Sequence, residues 1–225
     1  MISVVIPVLN AQACLAASLS ALVPAAVDGL VKELILVDGG STDATLEIAE
    51  DAGARVIRTE KGRGVQLAAG CAAARSPWLL VLHADTRLAR DWTDPVLAHL
   101  EGPDDRAGYF RFALDDRGWK PRLWEAGVAL RCHLLGLPYG DQGLLISRSL
   151  LDSVGGYRSL PLMEDVDLVQ RIGARRLYPL DARATTSALR FRRDGYLRRS
   201  LGNWGLLARY LAGAAPEDLA RRYGG

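Results

Sequence analysis

Four short apolar runs within residues 1–100 limit the fold of this 225-residue chain more than any other feature. The runs lack the regular polar alternation of half-exposed strands, and segments of helical character separate them. Such a pattern is typical of a parallel sheet that is covered by helices on both faces. The runs are SVVIPVL at 3–9, ELILVD at 33–38, ARVIRT at 54–59 and PWLLVLH at 77–83, and the helical segments are 11–22, 41–51, 64–74 and 92–100.

The remainder of the chain has a less regular pattern. Its predicted elements are strands at 109–114, within 137–148 and at 184–191, and helices at 119–135, 162–172, 195–211 and 216–222. The length suits one large domain, or two interlocked halves that share a sheet. The stretch DDRGWKP, at 115–121, is the best candidate for a boundary between the halves.

Charge and cysteine content argue against several classes of protein. The net charge of +2 gives no indication of a nucleic-acid partner, and we expect none. The three cysteines have no CxxC pair, which argues against a disulfide framework or a zinc site and favours a reducing compartment. We expect a cytoplasmic protein, because neither a signal peptide nor an apolar stretch of about 18 residues is visible.

All four apolar runs of the first part of the chain end at residues that could bind a ligand. In order, they are Pro7-Val8-Leu9-Asn10, Asp38, the segment 60–64 with Arg63, and His83-Ala84-Asp85. Right-handed crossovers place the carboxyl ends of parallel strands at one edge of the sheet. Ligands of open α/β sheets bind outside those ends, so the sequence predicts a ligand site at this edge.

The acidic strand ends each allow two interpretations. Asp38, in LVDGGSTD, either accepts hydrogen bonds from a base or a sugar, or supports the turn before a helix that Ser41 or Thr42 caps. Asp85, in HADT, either binds Mg²⁺ or Mn²⁺ or caps a turn. His83 either adds a metal or ribose contact or caps the strand.

The basic segments and the late acidic motif are equally open. Arg63 lies between glycines ahead of a helix, and it either pairs with a diphosphate or is an ordinary solvated arginine. Glu164 and Asp165 begin a predicted helix, where they either stabilise its dipole or supply a general base. The segment SALRFRR either balances a departing diphosphate or forms a solvated basic face. Its arginines are Arg190, Arg192 and Arg193.

Taken together, these motifs resemble the family 2 glycosyltransferases, which have a GT-A fold. The resemblance runs in order over about residues 2–205, through VVIPVLN, LVDGGSTD, VLHADT and MEDVDL. One subgroup, the small soluble transferases associated with radical-SAM and selenodomain proteins, is similar in GRGVQ, HADT, YGDQG, GGY, MEDV and SALRFRR. The resemblance implies a single α/β domain over 1–225. A Rossmann-like nucleotide-sugar-binding half would span 1–100, and an acceptor-binding half with the C-terminal helices would span 101–225.

The resemblance also implies roles for individual residues. Asp85 would hold a divalent cation, Mn²⁺ or Mg²⁺, between the two phosphates of the donor. Asp165, with Glu164 beside it, would deprotonate the acceptor. The nucleotide contacts would come from Pro7, Val8, Asn10, Asp38, Arg63 and His83, the acceptor contacts from Asp141 and Gln142, and the diphosphate contacts from Arg190 and Arg193.

The implied activity is metal-dependent, inverting transfer of one sugar from a nucleoside-diphosphate sugar to a small or lipid-like acceptor, and a UDP-sugar is the expected donor. Two departures from the family pattern lie near the donor side: Ala11 follows Asn10 where Glu is usual, and Ala68 and Ala69 stand where an Asn is common. In addition, Gly39 stands where the family has a second Asp. The Gln-x-x-Arg-Trp motif of processive polysaccharide synthases is absent, which favours single transfers.

Two other functions share parts of the pattern. Nucleotidyltransferases that make nucleotide sugars carry a glycine-rich basic loop after the first strand, and VLNAQACLA, at 8–16, has neither feature. A nucleotide-binding module without activity would bind the donor and leave it intact, although Asp85 and Glu164-Asp165 favour an enzyme.

The C-terminal stretch 196–213 mixes arginines with apolar residues. It either makes peripheral contact with a membrane or packs on the core or on the second subunit of a homodimer. An apolar face that stays exposed would distinguish the membrane surface from the packed alternatives.

Overall fold

An eight-stranded sheet with helices on both faces organises residues 1–188, 191–192 and 195–223, the parts of the chain that the computed structural model describes. The strands are β1 (Ile2–Val8), β2 (Val31–Asp38), β3 (Arg55–Arg58), β4 (Trp78–Val81), β5 (Thr86–Leu88), β6 (Ala107–Leu114), β7 (Leu144–Ser147) and β8 (Leu177–Thr186). The helices are α1 (Leu15–Ser20), α2 (Val23–Val27), α3 (Thr45–Asp51), α4 (Arg63–Ala73), α5 (Thr93–Leu100), α6 (Trp119–Leu135), α7 (Arg148–Ser153), α8 (Glu164–Ile172), α9 (Tyr196–Leu211) and α10 (Pro216–Tyr223), and short 3₁₀ turns cover Gly140–Gln142 and Ala174–Arg176.

The strands follow the order β3-β2-β1-β4-β7-β6-β8-β5 across the sheet. The four apolar runs form β1 to β4, and these strands pair in parallel. β7 is antiparallel to β4 and to β6, β8 is parallel to β6, and β5 is antiparallel to β8. The predicted α/β fold, with a mostly parallel sheet and helices on both faces, is confirmed. No helix among the described residues combines the length and the apolar character needed to cross a bilayer.

Side chains of alternate residues in the central strands point to opposite faces of the sheet, and each set belongs to an apolar layer on its face. Val5 and Val37 belong to the layer that also contains residues of α4, α6, α7, α8 and α9. Ile6 and Leu36 belong to the layer that also contains residues of α1, α2, α3 and α5. Each layer includes residues from both sides of position 100, and the division into a nucleotide half and an acceptor half stays a prediction.

The last strand differs from the prediction. The run ATTSALRF, at 184–191, was expected to be a strand, but β8 begins at Leu177 and ends at Thr186. Thr186 lies opposite Leu114, the last residue of β6, and opposite Thr86, the first residue of β5. The strand ends there because both of its neighbours end, which a local sequence pattern does not reveal.

Helix α4 approaches the sheet closely through Gly70. A Cβ atom at this position would lie 2.5 Å from Val5 Cγ1 and 2.7 Å from Val37 Cγ2. Valine side chains have little freedom about χ1, so neither can easily withdraw. The missing side chain therefore fixes how near α4 lies to β1 and β2, and with it the position of Arg63 at the start of the helix.

We expect Gly70→Ala to lower the free energy of unfolding by about 1–3 kcal/mol, because the added methyl group overpacks the space above Val5 and Val37. Gly127→Ala in α6 is the matched control, since nothing lies within 4 Å of a Cβ atom at that position. The control should be neutral or should gain up to about 1 kcal/mol from the better helix propensity of alanine. Urea unfolding measures both changes, and equal effects would contradict the packing described here.

Candidate active site

The loops that follow β1 and β2 are tied together at the carboxyl edge of the sheet. Asn10 has a left-handed φ of 50°, and its Oδ1 atom accepts a 2.9 Å hydrogen bond from the backbone N–H of Thr42. The N–H of Asn10 donates to Ser41 Oγ at 2.9 Å. Asn10 is therefore exposed at the predicted edge, whereas the side chains of Pro7 and Val8 are buried within β1.

Asp38 ends β2 and is only 2% exposed. Its two carboxylate oxygens accept hydrogen bonds from the N–H groups of Gly40, at 3.1 Å, and Ser41, at 2.9 Å. This geometry matches the turn-supporting interpretation of LVDGGSTD. A contact between Asp38 and a nucleotide base stays a prediction.

The predicted cap of the following helix is wrong. Helix α3 begins at Thr45, and Ser41 and Thr42 instead bond to Asn10. The Asp43 carboxylate accepts the N–H of Thr45 at 3.0 Å. A further hydrogen bond from the Thr45 hydroxyl is the main reason why the pKa of Asp43 lies below its usual value.

Gln66, in the GRGVQ motif, joins the ends of β1 and β2, a role that the sequence did not reveal. Its Nε2 donates to the carbonyl oxygens of Val8, at 2.9 Å, and Val37, at 2.7 Å. A Cβ atom at position 39 would lie 3.2 Å from this buried amide. The amide therefore gives a steric reason for Gly39 at the place where the family pattern has a second Asp.

A second group of residues meets the same edge around Gly140. The N–H of Gly140 donates to Asp165 Oδ2 at 2.8 Å, and the N–H of Val166 donates to Asp165 Oδ1 at 2.8 Å. A Cβ atom at Gly140 would lie 2.4 Å from His83 Nε2 and 3.3 Å from Asp165 Oδ2. The glycine thus lets the end of β4 and the start of α8 approach each other, which brings His83 and Asp165 together.

Asp141, next to this glycine, is half-buried, and its Oδ1 atom is enclosed by the chain. Among the residues that the structure describes, none forms a hydrogen bond with its Oδ1 atom. The pKa of Asp141 is raised to about 6, chiefly by burial; the positive charge of Arg131 limits the rise, and the carboxylates of Asp165 and Asp85 contribute to it. Asp141 therefore lies close enough to each of these two acids for their charges to repel.

These residues suit a divalent cation of the Mg²⁺ or Mn²⁺ type. Asp85 is half-buried in the turn between β4 and β5, and the Oδ1 atom of Asp141 is an oxygen donor that the described chain leaves unused. Nowhere in the described ranges do three or more His, Cys, Asp or Glu side chains form a complete metal-binding cluster. Protein ligands would then fill only part of the coordination shell, as is usual where phosphate and water oxygens complete it.

Arg63 and Glu164 form an ion pair across the site. Arg63 Nη1 lies 3.3 Å from Glu164 Oε1, and the side chain of Arg63 is 45% exposed whereas that of Glu164 is 2% exposed. The pKa of Glu164 is raised to about 7, chiefly by burial and also by the neighbouring Asp165, and the positive charge of Arg63 limits the rise. The pair joins the start of α4 to the start of α8.

The glycine after Arg63 serves packing within the chain. A Cβ atom at Gly64 would lie 2.4 Å from the carbonyl oxygen of Arg158 and 2.6 Å from the backbone nitrogen of Leu160. The close approach that GRG permits is therefore to the chain's own segment 158–160.

The predicted acceptor residues have unequal surroundings. Gln142 is 2% exposed, and its Nε2 donates to the carbonyl oxygen of Phe110 at 3.1 Å. Its Oε1 accepts the N–H of Tyr139 at 3.2 Å and a hydrogen bond from Arg131 at 3.3 Å. Gln142 thus ties the 3₁₀ turn to α6 and β6, and its contact with an acceptor stays a prediction.

Asp141, in contrast, lines a small cavity between α6 and α9. Aromatic side chains dominate this cavity, and the Arg131 guanidinium carbon lies 3.5 Å from the ring centroid of Tyr139. The sequence did not single out these aromatic residues for the acceptor side. The cavity is lined by Trp124, Arg131, Tyr139, Asp141, Phe191 and Trp204, among others.

A sequence model described as glycosyl transferase family 2 matches residues 3–158. The chain belongs to this family.

Two curated relatives of the family 2 chain align with it over short regions only. Each alignment spans about a third or less of the relative's own length. A PGL/p-HBAD biosynthesis glycosyltransferase of Mycobacterium bovis is 42% identical over 107 residues, which cover 39% of this chain and 36% of the relative. Glucosyl-3-phosphoglycerate synthase of Mycobacterium tuberculosis is 48% identical over 60 residues, or 27% of this chain and 18% of the relative.

Solved structures resemble the family 2 chain over a longer region. A crystal structure of glucosyl-3-phosphoglycerate synthase from M. tuberculosis superposes with a TM-score of 0.56 and 25% identity, covering 83% of this chain and 70% of the other. The S. aureus TarS 1–349 structure has a TM-score of 0.65 at 18% identity, covering 82% and 60%, and it supports the fold alone. The resemblance to the radical-SAM and selenodomain subgroup stays a prediction.

The predicted contact of the late arginines with the diphosphate stays a prediction. Arg190 and Arg193 lie outside the described residues. Arg192 donates to the carbonyl oxygen of Asp115 at 2.8 Å, and its Nε lies 3.3 Å from Asp116 Oδ2. This arginine is therefore engaged with acidic residues of the chain itself.

We expect the stability of the wild-type protein to fall relative to Glu164→Gln as the pH rises from 5 to 8. The folded protein retains the Glu164 proton up to about pH 7, whereas the unfolded chain releases it near the ordinary glutamate pKa of 4.5, so folding binds a proton in this range. The difference in unfolding free energy should change by about 2 kcal/mol.

Urea unfolding at several pH values measures this difference. Glu101→Gln, at an exposed position, controls for the loss of one charge. A difference between wild type and Glu164→Gln that does not vary with pH would contradict the burial of an ionisable Glu164.

Proposed function

We propose that the chain is a metal-dependent, inverting glycosyltransferase that moves one sugar from a nucleoside-diphosphate sugar, taken to be a UDP-sugar, to a small or lipid-like acceptor. The observation that carries the proposal is that His83 and Asp165 meet at Gly140, at the carboxyl edge of the sheet, while the charges of Asp85 and Asp165 both act on the neighbouring Asp141. The residues come from separate parts of the chain. Asp85 and Asp141 offer oxygen ligands for a metal, and the Asp165 carboxylate is held in a fixed orientation.

Asp165 is the proposed general base. Each of its carboxylate oxygens accepts one backbone hydrogen bond at 2.8 Å, which fixes the orientation of the carboxylate and leaves lone pairs free for a proton. It would take the proton of the acceptor hydroxyl as that oxygen attacks the anomeric carbon from the side opposite the leaving group. A single in-line displacement of this kind inverts the anomeric configuration.

Asp85 is the proposed metal ligand, and the unused oxygen of Asp141 is available as a second one. A bound divalent cation would neutralise the charge that develops on the leaving diphosphate. Arg63 is half-exposed and close to Glu164, where it can face an anionic donor. Contacts of Asn10, Asp38 and His83 with the nucleotide follow from the family resemblance.

Known complexes of a relative support the class of donor and cofactor. Glucosyl-3-phosphoglycerate synthase of M. tuberculosis has been crystallised with Mn²⁺, UDP and glucosyl-3-phosphoglycerate, and with Mn²⁺, UDP-glucose and phosphoglyceric acid. That protein therefore binds a UDP-sugar and a small acceptor. A lipid-like acceptor, a homodimer and a cytoplasmic location remain predictions for this chain.

The first test is calorimetric titration of UDP, GDP and CDP, with Mn²⁺ and with the metal chelated. We expect one nucleotide, UDP, to bind in a metal-dependent manner. Asp85→Ala should weaken that binding by at least about 10-fold, because it removes a ligand of the metal. Asp105→Ala, at an exposed position, should bind like the wild type.

Absence of binding to all three nucleotides by a folded protein would overturn the donor site. Metal-dependent binding of intact UDP-sugar without any release of UDP, even over long incubation with varied acceptors, would instead favour a binding module.

The second test concerns the base. Asp165→Asn should lower the rate of UDP release from a UDP-sugar by about 10²–10⁴-fold, because the amide cannot take the acceptor proton. Affinity for UDP and Mn²⁺ should stay close to that of the wild type, which separates catalysis from binding. Asp152→Asn, on the exposed side of α7, is the matched control. An unchanged rate in Asp165→Asn would assign the base to another group.

A further inference from the structure

An aromatic cavity lies between α6 and α9, next to the candidate active site. Four of the side chains in its wall are aromatic, namely Trp124, Tyr139, Phe191 and Trp204. The ring centroids of Trp124 and Phe191 lie 5.8 Å apart, with an angle of 55° between the rings. Trp204 is 43% exposed, so its ring lies where the cavity opens to solvent. The cavity therefore offers a ligand several ring faces, one of them at its mouth.

The two helices that form the walls are anchored in the protein. Val128 of α6 and Leu207 of α9 are buried in the same apolar layer, and Tyr210 packs against it. Glu125 Oε1 also accepts the N–H of Leu114 at 2.9 Å, which ties α6 to the end of β6. The core therefore holds both walls in place. Membrane contact of the stretch 196–213 stays a prediction.

Three polar side chains, those of Arg131, Asp141 and Asn203, also line the cavity. Arg131 is only 7% exposed, and its Nε donates to the carbonyl oxygen of Leu137 at 3.0 Å and its Nη2 to Gln142 Oε1 at 3.3 Å. Its Nη1 group has no acceptor in the part of the chain that the structure describes. Because an unused donor on a buried charged group is costly, the cavity favours a ligand that accepts a hydrogen bond from Arg131.

The cavity is adjacent to the proposed base. Asp141 follows Gly140 in one 3₁₀ turn, and the N–H of Gly140 donates to Asp165 Oδ2 at 2.8 Å. A ligand that contacts Asp141 would therefore have its next atoms close to the Asp165 carboxylate, where the acceptor hydroxyl has to be. An ionised carboxylate has about four lone-pair positions, so Asp141 can bind a hydroxyl group and still offer an oxygen to the metal.

The mixture of charges in the wall favours a neutral ligand with hydroxyl groups. A carboxylate or phosphate would be attracted by Arg131 but repelled by Asp141, and an ammonium group would be attracted and repelled the other way round. A hydroxyl group both donates and accepts hydrogen bonds, so it can serve the carboxylate and the guanidinium together. The Asn203 amide adds a further donor and acceptor. A purely apolar ligand would leave all three polar groups without a partner.

The size of the cavity indicates how such a ligand would lie. The space is about 330 Å³ with its open mouth included, whereas about 30 Å³ accepts the centre of a water-sized group. One hydroxyl group fits in the inner part, but a six-membered ring does not. The ring would therefore rest on Trp204 at the mouth and direct one hydroxyl group inward to Arg131 and Asp141.

We propose that the aromatic cavity binds a sugar ring of the acceptor, so that the chain glycosylates a saccharide or another glycoside. A sugar ring has hydroxyl groups at its rim for the polar side chains. It also has C–H groups on its faces for the tryptophan rings, whose faces carry partial negative charge.

The transfer step follows from this placement. A second hydroxyl group of the same sugar ring would form the new bond to the anomeric carbon of the donor while the bond from that carbon to the diphosphate breaks. Asp165 would take the proton of this hydroxyl group, and the nucleoside diphosphate would leave. The acceptor role rests on the proposed function, whereas sugar binding in the cavity does not.

The test is saturation-transfer NMR of the full-length chain with the methyl glycosides of glucose, galactose and mannose, with and without UDP and Mn²⁺. Phosphoglyceric acid and choline are the anionic and cationic comparison ligands. We expect at least one glycoside to bind more tightly than either comparison ligand. Trp204→Ala should weaken this binding by at least about 5-fold, because a ring face is lost, and Trp204→Phe should retain most of it.

Trp119→Ala is the matched control, because it removes another tryptophan of α6 that is 70% exposed and does not line the cavity. The control should bind the glycoside like the wild type, and circular dichroism shows whether each variant is folded. Absence of glycoside binding by the folded wild type would overturn the proposal. Tighter binding of phosphoglyceric acid or choline, or equal weakening by Trp204→Ala and Trp119→Ala, would overturn it as well.

UDP titration of the same samples tests the proposed function separately. A wild type that binds a glycoside but no nucleotide would keep the sugar site and lose the donor site. Binding of UDP without binding of any glycoside would keep the donor site and overturn the sugar site.

Discussion

The parallel pairing of β1 with β2 and β4 is the constraint on which the rest of the structure depends. It brings the ends of these strands to one edge of the sheet, where Asn10, Asp38 and His83 follow. The Gln66 side chain then supplies hydrogen-bond donors to the carbonyl groups of Val8 and Val37 at that edge. In the first half of the site, hydrogen bonds of backbone and amide groups hold the strand ends in place. The later part of the chain contributes the carboxyl groups of Asp141 and Asp165.

Much of this frame could be predicted from the sequence, because continuous apolar runs, glycines and strand-end acids are local signals. The four parallel strands and their helices follow directly from the runs, since only a strand buried on both faces dispenses with polar alternation. The acidic motifs at Asp85 and Asp165 were also visible, because their residue types suit metal binding and proton transfer. Their roles rest on chemistry and on family resemblance, and the structure adds that the charges of both act on Asp141.

The remainder could not be predicted because it depends on contacts between distant parts of the chain. Arg63 and Glu164 are 101 residues apart, and nothing local links them. Gln142 looked like a ligand-binding residue in YGDQG, yet its amide is used by Phe110, Tyr139 and Arg131. In the same way, the end of β8 is set by where its neighbours end.

Gly140 also limits how such enzymes can be recombined. Any side chain at this position would take the space of the His83 imidazole and crowd the Asp165 carboxylate, so the two parts of the chain meet through the absence of a single methyl group. A chimera that joined the first hundred residues to the second part of a related transferase would therefore need a glycine at the corresponding position. Whether the two grafted parts can pack together therefore depends on this residue, whatever substrate the chimera is meant to bind.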